Sequence, residues 1–120
     1  MKRFSAQYIF TNTGPPLKRA VLETEDDGTI ISITDTGGIL EERGSIEFYN
    51  GIIIPGFVNC HCHLELSHLK NRVPRGTGLA GFIRQIRETR HIPEDEIISS
   101  TIAADREMYG NGVVACADIC

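Results

Sequence analysis

The 120-residue chain has no tryptophan, no long apolar run and no cluster of basic residues. A membrane-spanning helix needs about 18 consecutive apolar residues, and no stretch approaches that length, so a membrane is not an expected partner. Basic residues occur at most two in a row, as at Lys2-Arg3 and Lys18-Arg19, and the formal net charge is −4. Because nucleic-acid binding requires clustered basic side chains, a nucleic acid is not an expected partner either.

An export signal is also lacking, because the basic residues at the N-terminus are not followed by a long apolar segment. The expected location is therefore the cytoplasm, where the four cysteines should be free thiols. With 41% hydrophobic and 23% charged residues, the composition is that of an ordinary globular protein. A small-molecule substrate is the partner that fits this composition.

The first half of the chain is predicted to consist of short strands. Apolar and β-branched segments lie between turn-forming residues at 8–10, 19–24, 29–34 and 45–49. Asp27-Gly28 predicts a tight hairpin turn joining strands at 22–25 and 29–33, because this pair readily adopts positive φ angles. Residues 1–55 are therefore predicted to form a β module that carries no chemistry of its own.

The pattern changes after Gly51, where a nearly continuous apolar run predicts a strand that is buried on both faces. Pro55-Gly56 is predicted to be the entry bend, so the strand should begin at Phe57 and a second domain should cover residues 56–120. Apolar spacing predicts a helix at 79–90, a second helix beginning near Pro93, and a buried strand at 113–117.

Two histidines one residue apart end the predicted strand at Phe57. Because side chains alternate along a strand, His61 and His63 should share one face, and Cys60 and Cys62 the other. Neutral imidazoles bind zinc and also suit iron, copper and nickel, so the pair predicts half of a tetrahedral metal site. A Cys-His-Cys-His zinc finger is disfavoured, since alternating residues of one strand cannot converge on one ion. The two cysteines are instead expected to be buried thiols, and His68 a loop histidine.

The segment Pro55-Gly56-Phe57-Val58-Asn59-Cys60-His61-Cys62-His63-Leu64-Glu65 resembles the signature of the metal-dependent amidohydrolase superfamily, in its cytosine deaminase, chlorohydrolase and imidazolonepropionase-like branch. Its continuation through Leu66-Ser67, together with Gly76-Thr77-Gly78-Leu79 and Phe82, is most similar to aminodeoxyfutalosine deaminase-like and related purine-nucleoside deaminases. A later segment, Gly-Val-Val-x-x-x-Asp at 112–118, is similar to the family's second barrel strand.

This resemblance implies a mixed α and β fold, with a small β-sandwich module at 1–55 and the first βα units of a (β/α)8 TIM barrel at 56–120. It implies a divalent metal held by His61 and His63, with zinc favoured and iron as the alternative. Glu65, which shares their face if the strand continues, and Ser67 are implied substrate contacts. The catalytic residues are unknown and expected beyond this chain, because a barrel takes roughly 250 residues. The chain is thus expected to be a truncated protein or a gene fragment.

The implied reaction is the hydrolysis of a non-peptide carbon–nitrogen bond, by deamination of a purine-type or related cyclic amidine substrate. An alternative stays open, in which the chain is a catalytically inert fragment or a structural β-module that forms a subunit contact. Two βα units leave open sheet edges that can pair with another chain, so a homo-oligomer is also an expected assembly.

Overall fold

The computed structural model describes residues 1–41, 44–89 and 92–119, and the chain divides into two compact units, Met1–Pro55 and Gly56–Cys120. Unit 1 contains β1 (Lys2–Ile9), β2 (Leu17–Lys18), β3 (Val21–Thr24), β4 (Ile30–Thr34) and β5 (Glu47–Ile53). Unit 2 contains β6 (Phe57–Cys62), a 3-10 helix (Leu64–Leu69), α1 (Gly78–Thr89), α2 (Glu94–Gly110) and β7 (Val113–Asp118). The predicted mixed α and β class is confirmed.

Unit 1 is a five-stranded sheet with β1 at its centre. β1 pairs antiparallel with β2 and β3, and parallel with β5, while β4 pairs antiparallel with β3. Its small core holds Ala6, Ile9 and Ala20, and the buried Ser5 hydroxyl donates to the Ala20 carbonyl at 2.8 Å. That bond satisfies a polar group that burial would otherwise leave at a cost. The β-sandwich predicted for residues 1–55 stays a prediction.

The hairpin predicted around Asp27-Gly28 is present, and residues 26–28 form its loop as the predicted strand ranges require. Gly28 donates its N–H to the Glu25 carbonyl at 3.1 Å, and Glu25 donates to the Thr29 carbonyl at 2.8 Å. Gly28 has φ +93°, whereas Asp27 is not among the residues with positive φ. This geometry is that of a three-residue loop with glycine in the left-handed position.

Unit 2 is built on the parallel pair of β6 and β7, with the three helices between them in the chain. β6 begins at Phe57 as predicted, and α1, α2 and β7 lie within one or two residues of the predicted ranges. The predicted burial of β6 on both faces is wrong for the described residues, where Phe57 is 56% and Val58 is 60% exposed. The reason is that β6 has β7 as its single strand neighbour among these residues. The predicted TIM barrel stays a prediction.

α2 packs on the 3-10 helix through one face. The face formed by Ile97, Thr101, Ala104 and Met108 is half-buried along its length, and the Thr101 hydroxyl donates to the Leu64 carbonyl at 3.1 Å. In the part of the chain that the structure describes, no helix combines the length and apolar character needed to cross a membrane. His91 and Cys120 lie outside the described residues.

Candidate metal centre

His61 and His63 lie together at the carboxyl end of β6. Their ring centroids are 5.0 Å apart and their planes meet at 84°. β6 ends at Cys62, and His63 follows with the nearly extended φ of −137°, so the alternation of side chains carries one residue beyond the strand. Both histidines are exposed. The predicted pairing of the two imidazoles is therefore present in the fold, while metal binding by them stays a prediction.

The ring of His63 is oriented by the backbone of the neighbouring strand. Its Nδ1 lies 2.6 Å from the carbonyl oxygen of Ile119, just past the end of β7. Because a carbonyl can only accept a hydrogen bond, Nδ1 must carry the proton. The lone pair of a neutral His63 is then on Nε2, which is the nitrogen left for a ligand. Metal-binding histidines are commonly oriented in this way by a carbonyl or carboxylate on the other ring nitrogen.

The same end of β7 holds the residues on either side of His63. Ile119 donates its N–H to the Cys62 carbonyl at 3.0 Å, and the Asp118 carboxylate accepts the Leu64 N–H, also at 3.0 Å. Three consecutive residues, 62–64, are thus bonded to two consecutive residues, 118 and 119. In a parallel pair the carboxyl ends of both strands lie at the same edge, which is why β7 reaches this point.

Glu65 lies on the 3-10 helix, so the condition under which it would share the histidine face as a strand residue is not met. It nevertheless approaches His63, with Oε1 at 3.5 Å from Nδ1. The Ile119 carbonyl is closer and is the main partner of that nitrogen. The other carboxylate oxygen of Glu65 is buried and has no hydrogen-bond partner among the described residues.

Ser67 and His63 line a groove of about 640 Å³ between the 3-10 helix and α2. His68 lines it too, and the prediction of a loop position for His68 is wrong: it lies in the 3-10 helix and is only 6% exposed. Its Nδ1 lies 2.8 Å from the Glu65 carbonyl, so Nδ1 is the donor there. Its Nε2 is buried without a partner among the described residues. In a 3-10 helix, residues three apart face the same side, as Glu65 and His68 do here. A prediction of this helix from the sequence would have placed the two residues together.

The cysteines of this segment differ from each other. The predicted burial of Cys60 is wrong. Cys60 is exposed because no described element covers its face of β6. Cys62 is half-buried, and burial together with the neighbouring Cys116 raises the pKa of its thiol. Within residues 1–41, 44–89 and 92–119, no three His, Cys, Asp or Glu side chains form a cluster that could hold a metal ion. The described chain therefore offers two imidazoles as donors and not a complete shell.

The residues that support His63 were not singled out from the sequence. Asp118 stands in the Gly-Val-Val-x-x-x-Asp segment, so a signal for it was present, but its contact with the Leu64 N–H depends on strand register. That register shifts between Asn59 and Cys62, which no sequence pattern indicates. Ile119 acts through its backbone and therefore leaves no side-chain signal.

Neither a family model nor a curated protein matches this chain. A solved structure does match: the crystal structure of Helicobacter pylori aminofutalosine deaminase in complex with methylthio-coformycin. The similarity has a TM-score of 0.74 with 17% sequence identity, and it covers 100% of this chain and 30% of the deaminase chain. At this identity the likeness shows the fold alone, so this chain has the fold of part of a deaminase and spans less than a third of its length.

Proposed function

We propose that this chain is part of a metal-dependent hydrolase that cleaves a non-peptide carbon–nitrogen bond, and that His61 and His63 hold the metal. The observation that carries the proposal is the pair of imidazoles, 5.0 Å apart, in which the Nδ1 of His63 is already occupied by a carbonyl. A histidine tied at Nδ1 presents Nε2 to a ligand, which is how imidazole ligands are commonly held.

The donor set fits a divalent ion, zinc or iron. Two neutral nitrogens supply half of a four-coordinate shell, and catalytic zinc sites keep one position open for water or substrate. When bound, such an ion supplies a water-derived nucleophile near neutral pH and polarises the bond under attack. Further protein ligands would have to come from outside the described residues.

The groove beside His63 is where a substrate would lie. Ser67 and His68 line it, and a hydroxyl can both donate to and accept from the ring nitrogens of a purine-type or cyclic amidine substrate. Glu65 is not among the residues that line this groove, and its Oε1 lies on the Nδ1 side of His63, so for Glu65 the proposal of a substrate contact rests on the sequence resemblance. Deamination is the reaction we propose, supported by the resemblance of residues 55–67 to deaminase sequences and by the deaminase fold of the solved neighbour.

The proposal is tested by the metal content of the purified chain and of a His61→Ala/His63→Ala double variant, measured by mass spectrometry. We expect zinc or iron to be present in the purified natural chain and to be lost from the double variant, because both nitrogen donors are gone. The matched control is Cys60→Ser/Cys62→Ser, which removes the neighbouring thiols and should leave metal binding close to that of the natural chain.

Two results would oppose the proposal. Equal metal content in the natural chain and the histidine variant would place the ion elsewhere. Loss of metal in the cysteine variant would favour thiolate ligands over imidazoles.

The deaminase step is tested separately, by ammonia release from purine nucleosides with the protein expressed from its own gene and loaded with zinc or iron. The cytoplasmic location remains part of the proposal.

The alternative, a structural β-module that forms a subunit contact, is favoured by one observation. β4 is an edge strand of unit 1, and its isoleucines Ile30 and Ile31 are exposed. An edge strand with exposed apolar side chains and no charged residue is prone to pair with another strand. Light scattering tests this alternative: a dimer that Ile31→Lys dissociates would support subunit contact, and a monomer would oppose it.

A further inference from the structure

We infer that Asp118 is a positioning residue for the candidate metal centre, acting through the backbone of Leu64 and not by contact with the ion. The inference rests on the proposed function, because it explains how His63 is held for metal binding. Asp118 does not approach His63 as a ligand would; its Oδ1 accepts the N–H of Leu64 at 3.0 Å.

The position of Leu64 makes this hydrogen bond consequential. Leu64 follows His63 directly and is the first residue of the 3-10 helix, so the chain changes from strand to helix at this peptide. The first N–H groups of a helix have no partner within it. The side chain of His63, the residue before the helix, makes no capping hydrogen bond to it. Asp118 supplies the missing acceptor from the next strand, which fixes the direction in which the chain leaves His63.

The opposite side of the same residue is also held. The Leu64 carbonyl accepts from the Thr101 hydroxyl of α2 at 3.1 Å. Both peptide groups that flank the Leu64 Cα are therefore anchored by side chains, one from β7 and one from α2. The imidazole of His63 is anchored in addition by the Ile119 carbonyl. His63 is thus held at its ring and at the peptide that follows it.

A carboxylate is well suited to this role. Hydrogen bonds from a backbone N–H to an ionised carboxylate are stronger than those to a neutral acceptor. An asparagine keeps an accepting oxygen at the same place, so Asp118→Asn should preserve the contact, whereas Asp118→Ala removes it. Partners in this outer layer of a metal site typically change metal affinity by 10-fold to 100-fold when removed. For an effect transmitted through one peptide, we expect a loss near the lower limit, about 10-fold.

The test uses two readouts on the same set of variants. The first is the tautomer of His63 in the metal-free chain, read from its imidazole nitrogen resonances by NMR. The second is the affinity for zinc. In the natural chain we expect Nδ1 to carry the proton. In Asp118→Ala we expect a mixture of tautomers for His63 and an affinity about 10-fold lower, with Asp118→Asn close to the natural chain.

Control variants separate positioning from folding. Asp105→Ala removes an exposed aspartate of α2 and changes the net charge by the same amount as Asp118→Ala. It should leave both the tautomer and the zinc affinity unchanged. Thr101→Val removes the hydroxyl on the other side of Leu64 and should shift both readouts in the same direction as Asp118→Ala. If Asp118→Ala does not fold, Asp118→Asn decides, because it keeps the accepting oxygen and should leave both readouts close to those of the natural chain.

The inference and the proposed function fail in different ways. If the natural chain shows the Nδ1 tautomer but binds no zinc, the proposed function fails and the positioning of His63 stands. If Asp118→Ala leaves both the tautomer and the affinity unchanged, the inference is overturned. A loss in Asp118→Asn as large as in Asp118→Ala would also overturn it, because the accepting oxygen would then not be what matters.

Discussion

Replacement of Gly56 by alanine should destabilise unit 2, because the added methyl group would collide with β7. A Cβ at position 56 would lie 2.4 Å from Cγ1 and 2.6 Å from Cγ2 of Val114, and 3.1 Å from its Cβ. Carbon atoms in contact prefer separations of about 3.5–4.0 Å, so atoms must move by roughly 1 Å. Gly56 directly precedes β6, the strand that ends at the two histidines.

Rotation of Val114 cannot remove the conflict. The two methyl groups of a valine occupy two of three staggered positions, so every rotamer leaves at least one methyl in a position that collides. The backbones of β6 and β7 must therefore shift apart, and overpacking of this kind costs about 1–3 kcal/mol. For a domain of roughly 60–100 residues, a loss of about 2 kcal/mol lowers Tm by about 8–16 °C.

Far-UV circular dichroism measures this loss selectively, because the described helices all lie in unit 2. Val114→Ala removes both colliding methyl groups, and since Val114 is 60% exposed its own cost should be below about 1 kcal/mol. Combined with Gly56→Ala it should recover most of the stability. Gly110→Ala is the control, because a Cβ there meets nothing within 4 Å. An unchanged Tm for Gly56→Ala, or no recovery in the double variant, would refute the steric reasoning.

Two further predictions concern titrating groups. Iodoacetamide should modify Cys60 before Cys62, because Cys60 is exposed whereas burial raises the pKa of the Cys62 thiol and lowers its thiolate fraction. Peptide mass spectrometry gives the order of modification, and equal rates for the two cysteines would contradict this packing. The hydroxyl of Ser32 and the guanidinium of Arg3 lower the pKa of Glu23 from 4.5. The carboxylate of Glu23 therefore takes up a proton more readily in the unfolded chain than in the folded one, and stability falls as the pH drops below 4.5. Ser32→Ala should weaken this acid dependence in urea denaturation, and an unchanged pH profile would count against it.

Much of the fold could be predicted from the sequence, because local patterns determine it. Proline and glycine at 55 and 56 end one unit and begin the next, and apolar spacing of three and four residues gives α1 and α2 almost to the residue. The start of β6 follows from the same signal. Pairing over long distances is different: the parallel alignment of β5 with β1 joins residues more than forty positions apart, and no local pattern encodes it.

In the candidate site, too, the features that depend on local sequence could be predicted, whereas those that depend on distant residues could not. The shared side of His61 and His63 follows from the period of a strand, which is a local property. The end of that strand at Cys62 is not local, because the 3-10 helix that follows is fixed by Asp118 and Thr101 from distant parts of the chain. The position of Glu65 and the burial of His68 both depend on that helix, and for this reason the sequence did not predict them.

The geometry around His63 bears on the kind of ion that the site would hold. A structural zinc site is closed by four protein ligands, and it organises a chain that is otherwise unfolded. In this chain the Ile119 carbonyl and the Asp118 carboxylate hold His63 and its neighbour by hydrogen bonds between protein groups. Both histidines are exposed. An exposed histidine that is held at its ring and at the peptide that follows it fits the open shell of the catalytic metal that we propose better than the closed shell of a structural metal.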